Sequence, residues 1–149
     1  MARTHFETLR VYQLSETLAD DIWRIVETWT SFAQDTVGKQ MVRAADSIGA
    51  NIAEGTGKGT LLEHRTYVRI ARGSLSETMH WLRRAYVRQL LSAAETERAE
   101  TERLKSNLDE LTRTLNGYLR SLGHRLSKSQ PKPAPPKSSE QPGTQKPKT

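Results

Sequence analysis

The sequence predicts an all-α protein: an antiparallel up-down-up-down four-helix bundle over residues 1–126, then a disordered, basic, proline-rich tail over residues 127–149. Three observations carry this. Apolar residues recur at three- and four-residue steps through four separate stretches. Leu104, Leu108, Leu111, Leu115, Leu119 and Leu122 make a stripe suited to one helix of a bundle or a short coiled coil. The breaks between stretches are short, and helices joined by short connections pack most simply up and down.

Val11, Leu14, Leu18, Ile22, Ile25, Val26 and Trp29 mark the first helix, about Phe6 to Thr30. A polar break, Ser31–Thr36, follows, with Asp35 and Thr36 as candidate N-caps of the second helix. That helix is organised around RAADSIGANIAEGTGKG, Arg43–Gly59, where Met41, Ala44, Ala45, Ile48 and Ile52 share one face. Small residues crowd the segment and let other helices approach closely. Glycine inside a helix costs about 1 kcal/mol against alanine, so Gly49 marks a bend or a tight contact. Gly55, Gly57 and Gly59 are expected to stop the helix by taking the left-handed conformation.

Thr60 and Glu63 have capping-box spacing for a third helix that carries Leu62, Tyr67, Ile70, Ala71, Leu75, Leu82, Ala85 and Tyr86 to about Leu91. Gly73 and Ser74 interrupt it with small side chains suited to close helix contact. The fourth helix begins polar at about Ala93 and then carries the leucine stripe. Beyond Leu126, clustered Pro, Lys, Ser and Gln cannot bury enough apolar surface to offset their ordering entropy.

Of the formal charge of +6, the segment after Leu126 holds five Lys against Glu140, which leaves the body at +2. The body therefore binds an anion only where its charges are segregated by face. With no cysteine, disulfides and thiolate metal sites are excluded. No apolar run approaches the roughly 20 residues of a membrane span, and MARTHFETLR lacks a signal core, so the expected compartment is cytoplasmic.

Gln40, Arg43, Ala44, Ala45, Ser47, Ile48, Ala50, Asn51, Ile52, Ala53, Glu54, Gly55 and Gly57 stand in register with the pattern Q-I-R-R-A-A-x-S-I-P-A-N-I-A-E-G-x-G. Ile70, Ala71, Gly73, Ser74, Leu75 and Glu77 match a second block, I-A-x-G-S-L-x-E, and Phe6, Leu9, Val11 and Gln13 a weaker opening one. On these blocks the chain resembles the four-helix-bundle proteins encoded in intervening sequences of bacterial large-subunit ribosomal RNA. That family includes the accessory variability proteins of diversity-generating retroelements. Gly49 stands where the family has proline, Val42 replaces an arginine, and the family's Gly-Tyr after the third helix is absent. The resemblance implies a four-helix bundle, a homopentameric ring and no enzymatic activity. For the retroelement branch it implies an adaptor that binds a reverse transcriptase and RNA, with DNA as a further ligand.

Sharper chemistry is scarce. His64 and His80 are 16 residues apart on one predicted helix, too far to share a metal, and no HExxH pair exists. His5, His64, His80 and His124 are read as surface residues. GTGKGT lacks the phosphate-loop frame and follows a helix, so it reads as a cap and turn. No catalytic, metal or cofactor site is expected. Asn51 and Glu54 read as a buried hydrogen-bonded pair fixing helix register, within a structural motif that also includes Arg43 and Gly55. Trp23, Trp29 and Trp81 read as core or subunit-interface residues.

The arginines carry the functional expectation. Arg65, Arg69 and Arg72 fall on one face of the third helix, Arg83, Arg84 and Arg88 continue the run, and Glu77 is the one acid among them. Arginine suits phosphate through its bidentate fork. These six, with Lys58 in the glycine-rich turn, are the candidate nucleic-acid contacts. Two functions stay open: the adaptor, and a structural or interaction protein encoded in a ribosomal RNA intervening sequence that binds RNA little.

Overall fold

The computed structural model describes residues 2–91 and 95–134. The protein is all-helical, with no strand among the described residues. Four long helices form it: α1 (Arg10–Glu27), α2 (Lys39–Thr56), α3 (Leu61–Val87) and α4 (Glu95–Ser129).

The first helix starts later than its periodicity predicts. Phe6–Thr8 form a separate 3-10 turn, and Leu9 is extended (φ −75°, ψ 130°) before α1 begins. Gln13 Nε2 donates to Glu7 O at 3.0 Å and ties that turn to the helix. The expected polar break is itself helical. Thr30, not Asp35 or Thr36, is the cap: its hydroxyl accepts from Ala33 N at 3.4 Å. A helical turn, Ser31–Ala33, passes through a π-turn, Gln34–Gly38, straight into α2. Gln34 stabilises this corner by donating to Val26 O (3.1 Å) and Glu27 O (3.2 Å), carbonyls that the end of α1 leaves open. A Cβ on Gly38 would lie 2.7 Å from Val26 Cγ1, so only glycine fits there.

On α2 the expected face is fully inside: Met41, Ala44, Ala45, Ile48 and Ile52 are at most 1% exposed. Gly49 is a tight contact, since a Cβ there would sit 2.9 Å from Ser15 Oγ on α1. The helix does not end on left-handed glycine. Gly57 is right-handed (φ −83°), and among the described residues no glycine has positive φ. Instead Gly57 N and Lys58 N close the last turn with three-residue bonds to Glu54 O and Gly55 O. Gly55 serves packing: a Cβ would lie 3.0 Å from Tyr67 Cβ and 3.1 Å from His64 O on α3. Gly55→Ala should therefore cost about 1–3 kcal/mol through overpacking, read as a lower urea midpoint at constant slope.

Thr60 caps α3 as predicted: its hydroxyl accepts from Glu63 N (3.2 Å) and donates to Glu63 Oε2 (2.8 Å). The helix stops at Val87, short of Leu91. Gln89 takes the left-handed conformation (φ 58°), and Leu90 N returns to Ala85 O at 2.9 Å, a Schellman closure without glycine. The buried face is Val68, Ala71, Ser74, Leu75, Thr78, Leu82 and Ala85. Leu62, Ile70 and Tyr86 are 64%, 48% and 71% exposed, contrary to the sequence reading, because they lie off that stripe. Gly73 makes no close helix contact either: among the described residues no other helix comes within 4 Å of a notional Cβ there.

The leucine stripe of α4 faces inward as predicted, with five members buried and Leu108 packed against the core from its edge. The helix runs to Ser129, so Ser127–Ser129 belong to it and not to a tail. Residues 130–134 follow it exposed and non-helical, and the remainder of the expected disordered tail, from residue 135, lies outside the described residues.

Neighbouring helices meet with residue numbers running in opposite senses. Gly49 faces Tyr12 and Ser15 while Gly38 faces Val26 (α2 on α1). Arg43–Glu77 (3.2 Å) and Ser47–Ser74 (2.7 Å) join α2 to α3. Arg10–Glu110 (2.6 Å) and Asp21–Arg103 (2.8 Å) join α1 to α4. Asp21 is only 4% exposed, and Arg24, Arg103 and Asn107 all donate to it. A buried carboxylate is tolerable because those donors replace its lost water.

Candidate nucleic-acid interface

The start of α3 packs against the end of α4. Tyr118 Oη and His64 Nε2 are 2.9 Å apart across this seam, and burial, with Arg125 second, holds the His64 pKa below its ordinary value. His64 is thus half-buried and bonded, not the surface histidine expected.

One residue later, Arg65 crosses to α4. A Cβ on Gly123 would lie 3.4 Å, 3.5 Å and 3.6 Å from its Nη2, Nε and Cζ, so the planar guanidinium lies flat over the glycine. Arg65 Nε is buried there with no hydrogen-bond partner. Arg69 and Arg72 follow on the same face of α3. They line, with Arg65 and with Asn116, Arg120, His124 and Ser127 of α4, a cleft of about 500 Å³. Among the described residues no carboxylate lines it. Among the described residues none of these four arginines has an ion-pair partner.

The other candidates are placed differently. Arg83 and Arg88 are exposed and Arg84 is half-buried, further along α3 and outside the cleft. Lys58 pairs with Glu54 at 3.4 Å and lies 4.8 Å from the Tyr67 ring centroid; the Glu54 bond is the main cause of its raised pKa. Arg43 is held by Glu77, which also accepts from Trp81 Nε1 at 3.4 Å. The single acid within the arginine run is therefore engaged with α2, away from the cleft.

The expected Asn51–Glu54 pair does not form. Glu54 is exposed and turned to Lys58, whereas Asn51 Nδ2 donates to Ser47 O (2.8 Å) and Ser47 Oγ (3.2 Å). Ser47 in turn meets the buried Ser74, so a second polar contact between α2 and α3, besides Arg43–Glu77, runs through two serines.

Arg120 and His124 were not among the sequence candidates. A signal for them exists: no acid occurs between Glu110 and Glu140, while Arg113, Arg120, Arg125 and Lys128 do. A second open groove, of about 740 Å³, is apolar and lined by Trp23, Val26, Gly38, Val42 and Ala50 with Lys39, Arg43 and Asp46 at its sides. Trp23 is 55% exposed and is no core residue; Trp29 and Trp81 pack against the core. Among the described residues no three His, Asp or Glu side chains come together to hold a metal, and no helix is long and apolar enough to cross a membrane.

No curated protein matches the chain. A crystal structure of a protein of unknown function from the S23 ribosomal protein family of Bacteroides thetaiotaomicron is similar in fold. The TM-score is 0.61 at 22% identity, over 73% of this chain and 97% of that one. Residues 7–117 match the family described as 23S rRNA-intervening sequence protein. A match over that much of the chain places it: the chain belongs to the 23S rRNA-intervening sequence protein family.

Proposed function

We propose that this chain is a non-catalytic, oligomeric nucleic-acid-binding adaptor that grips the phosphate backbone through the cleft between α3 and α4. The observation that carries the reading is the convergence of Arg65, Arg69, Arg72 and Arg120 on one cleft that no carboxylate lines among the described residues. Guanidinium groups without internal partners keep their forks for phosphate. Backbone contacts carry no base information, so binding should be indifferent to sequence.

The opposed numbering of the α1–α2, α2–α3 and α1–α4 contacts supports an antiparallel up-down-up-down bundle, here the unit of a cytoplasmic homopentamer. A closed ring needs two different complementary faces on each subunit, and the open Trp23–Val42 groove suits one of them. A reverse transcriptase as protein partner, with template RNA and its DNA copy as ligands, rests on the resemblance of the Gln40–Gly57 and Ile70–Glu77 blocks to a family that includes the retroelement accessory proteins. The same apolar groove favours the second reading, an interaction protein that assembles through its helices and binds RNA little.

Titrating two unrelated 20-nucleotide RNAs over a series of salt concentrations tests the first reading. Four phosphate contacts on a single strand should give a log–log slope of about −3, the same for both RNAs. Absent or salt-independent binding would favour the second reading.

A further inference from the structure

We infer that the Arg65 end of the cleft seats a terminal phosphate monoester, the phosphorylated end of a nucleic-acid strand, in addition to internal diesters. This rests on the reading of the cleft as a phosphate interface. Arg83, Arg84 and Arg88 lie outside the cleft, so its charge is confined to about two turns of α3 and does not run the length of the helix. Four arginines and His124 instead gather in about 500 Å³, a volume suited to a nucleotide-sized ligand. A diester offers two non-bridging oxygens and one charge. A terminal monoester offers three oxygens and a charge of about −1.5 to −2 near neutral pH, the better match to clustered guanidiniums.

Arg65 is fixed in advance for such a compact anion. Its guanidinium lies flat on Gly123, and burial of Nε against α4 removes the freedom a surface arginine has. Pre-positioning lowers the ordering cost of binding. Ser127, one turn along α4 from Gly123, is the neutral donor at that end of the cleft, and Asn116 lies about two turns away on the other side of Gly123. A Cβ alone at position 123 would make ordinary contact with the guanidinium, but the Cγ atoms of a valine would displace it while leaving the net charge of the protein unchanged.

The test compares RNAs of one 20-nucleotide sequence carrying a 5′-phosphate, a 3′-phosphate or two hydroxyl ends, each titrated with the full-length protein. One phosphorylated end should bind about tenfold tighter than the hydroxyl RNA, as one added charge-assisted interaction allows; which end wins identifies the strand polarity at the cleft. Gly123→Val should bring the three RNAs to equal affinity with the salt slope on hydroxyl RNA shallower by no more than the one contact Arg65 makes, about 0.7, and Arg120→Gln should reduce the discrimination independently. Equal affinities for all three RNAs with a steep salt slope would overturn the terminal seat and leave the backbone interface standing. No RNA binding at low salt would overturn both. Discrimination that persists unaltered in folded Gly123→Val and Arg120→Gln would place the end elsewhere and overturn the assignment.

Discussion

Leu111→Ala should lower the unfolding free energy by about 2–5 kcal/mol, the range for deleting a fully buried leucine side chain whose cavity only partly collapses. Leu111 is 0% exposed and belongs to the cluster shared by all four helices. Leu108, one step earlier in the same stripe, packs against that cluster from its edge and is half-buried. Leu108→Ala leaves less of a void and should cost less than half as much. Urea midpoints with unchanged slopes read both changes, at one protein concentration because assembly adds to apparent stability. Equal costs at the two positions would mean that the stripe is not seated with Leu111 at its centre.

The difference between Leu111 and Leu108 illustrates what was legible in the sequence. Leucine, isoleucine and alanine at three- and four-residue steps located all four helices, because burial follows such periodicity closely. Corners were less legible. Gln34 bonding back to Val26 and Glu27, and Gly38 lying under Val26, are long-range facts that turn an apparent break into a continuous helical corner. A glycine looks the same in sequence whether it caps a helix or lets another approach, and Gly55 does the second.

Half of the candidate site was readable. The three α3 arginines share one face by spacing alone. Their counterparts on α4 could be placed only once the chain's reversal brought the neighbourhood of Gly123 to Arg65. Polar partners were misassigned for the same reason: Glu54 had a closer lysine one turn along, and Asn51 a serine one turn back. Asp21, an acid on a helix rich in apolar residues, gave no sign of its burial until Arg103 and Asn107 stood beside it.

Replacing Arg65, Arg69 and Arg72 together by glutamine removes three charges from the cleft and none from the core. Arg69 and Arg72 are exposed and Arg65 is half-buried, so helicity should be retained and the melting temperature should shift little. RNA binding should weaken by roughly a hundredfold at about 0.1 M salt, because each lost phosphate contact forfeits the entropy of released counterions. The slope of log affinity against log salt should become shallower by roughly two to three units per subunit in contact with the strand. If these arginines instead hold a neighbouring subunit, the triple replacement would dissociate the oligomer. The decisive measurement is therefore the salt dependence of RNA binding by the triple variant, with its mass determined by light scattering in the same samples. An unchanged mass with a shallower slope and the hundredfold loss is the expected result; an unchanged mass with affinity and slope equal to those of the parent protein would contradict the cleft as the phosphate interface.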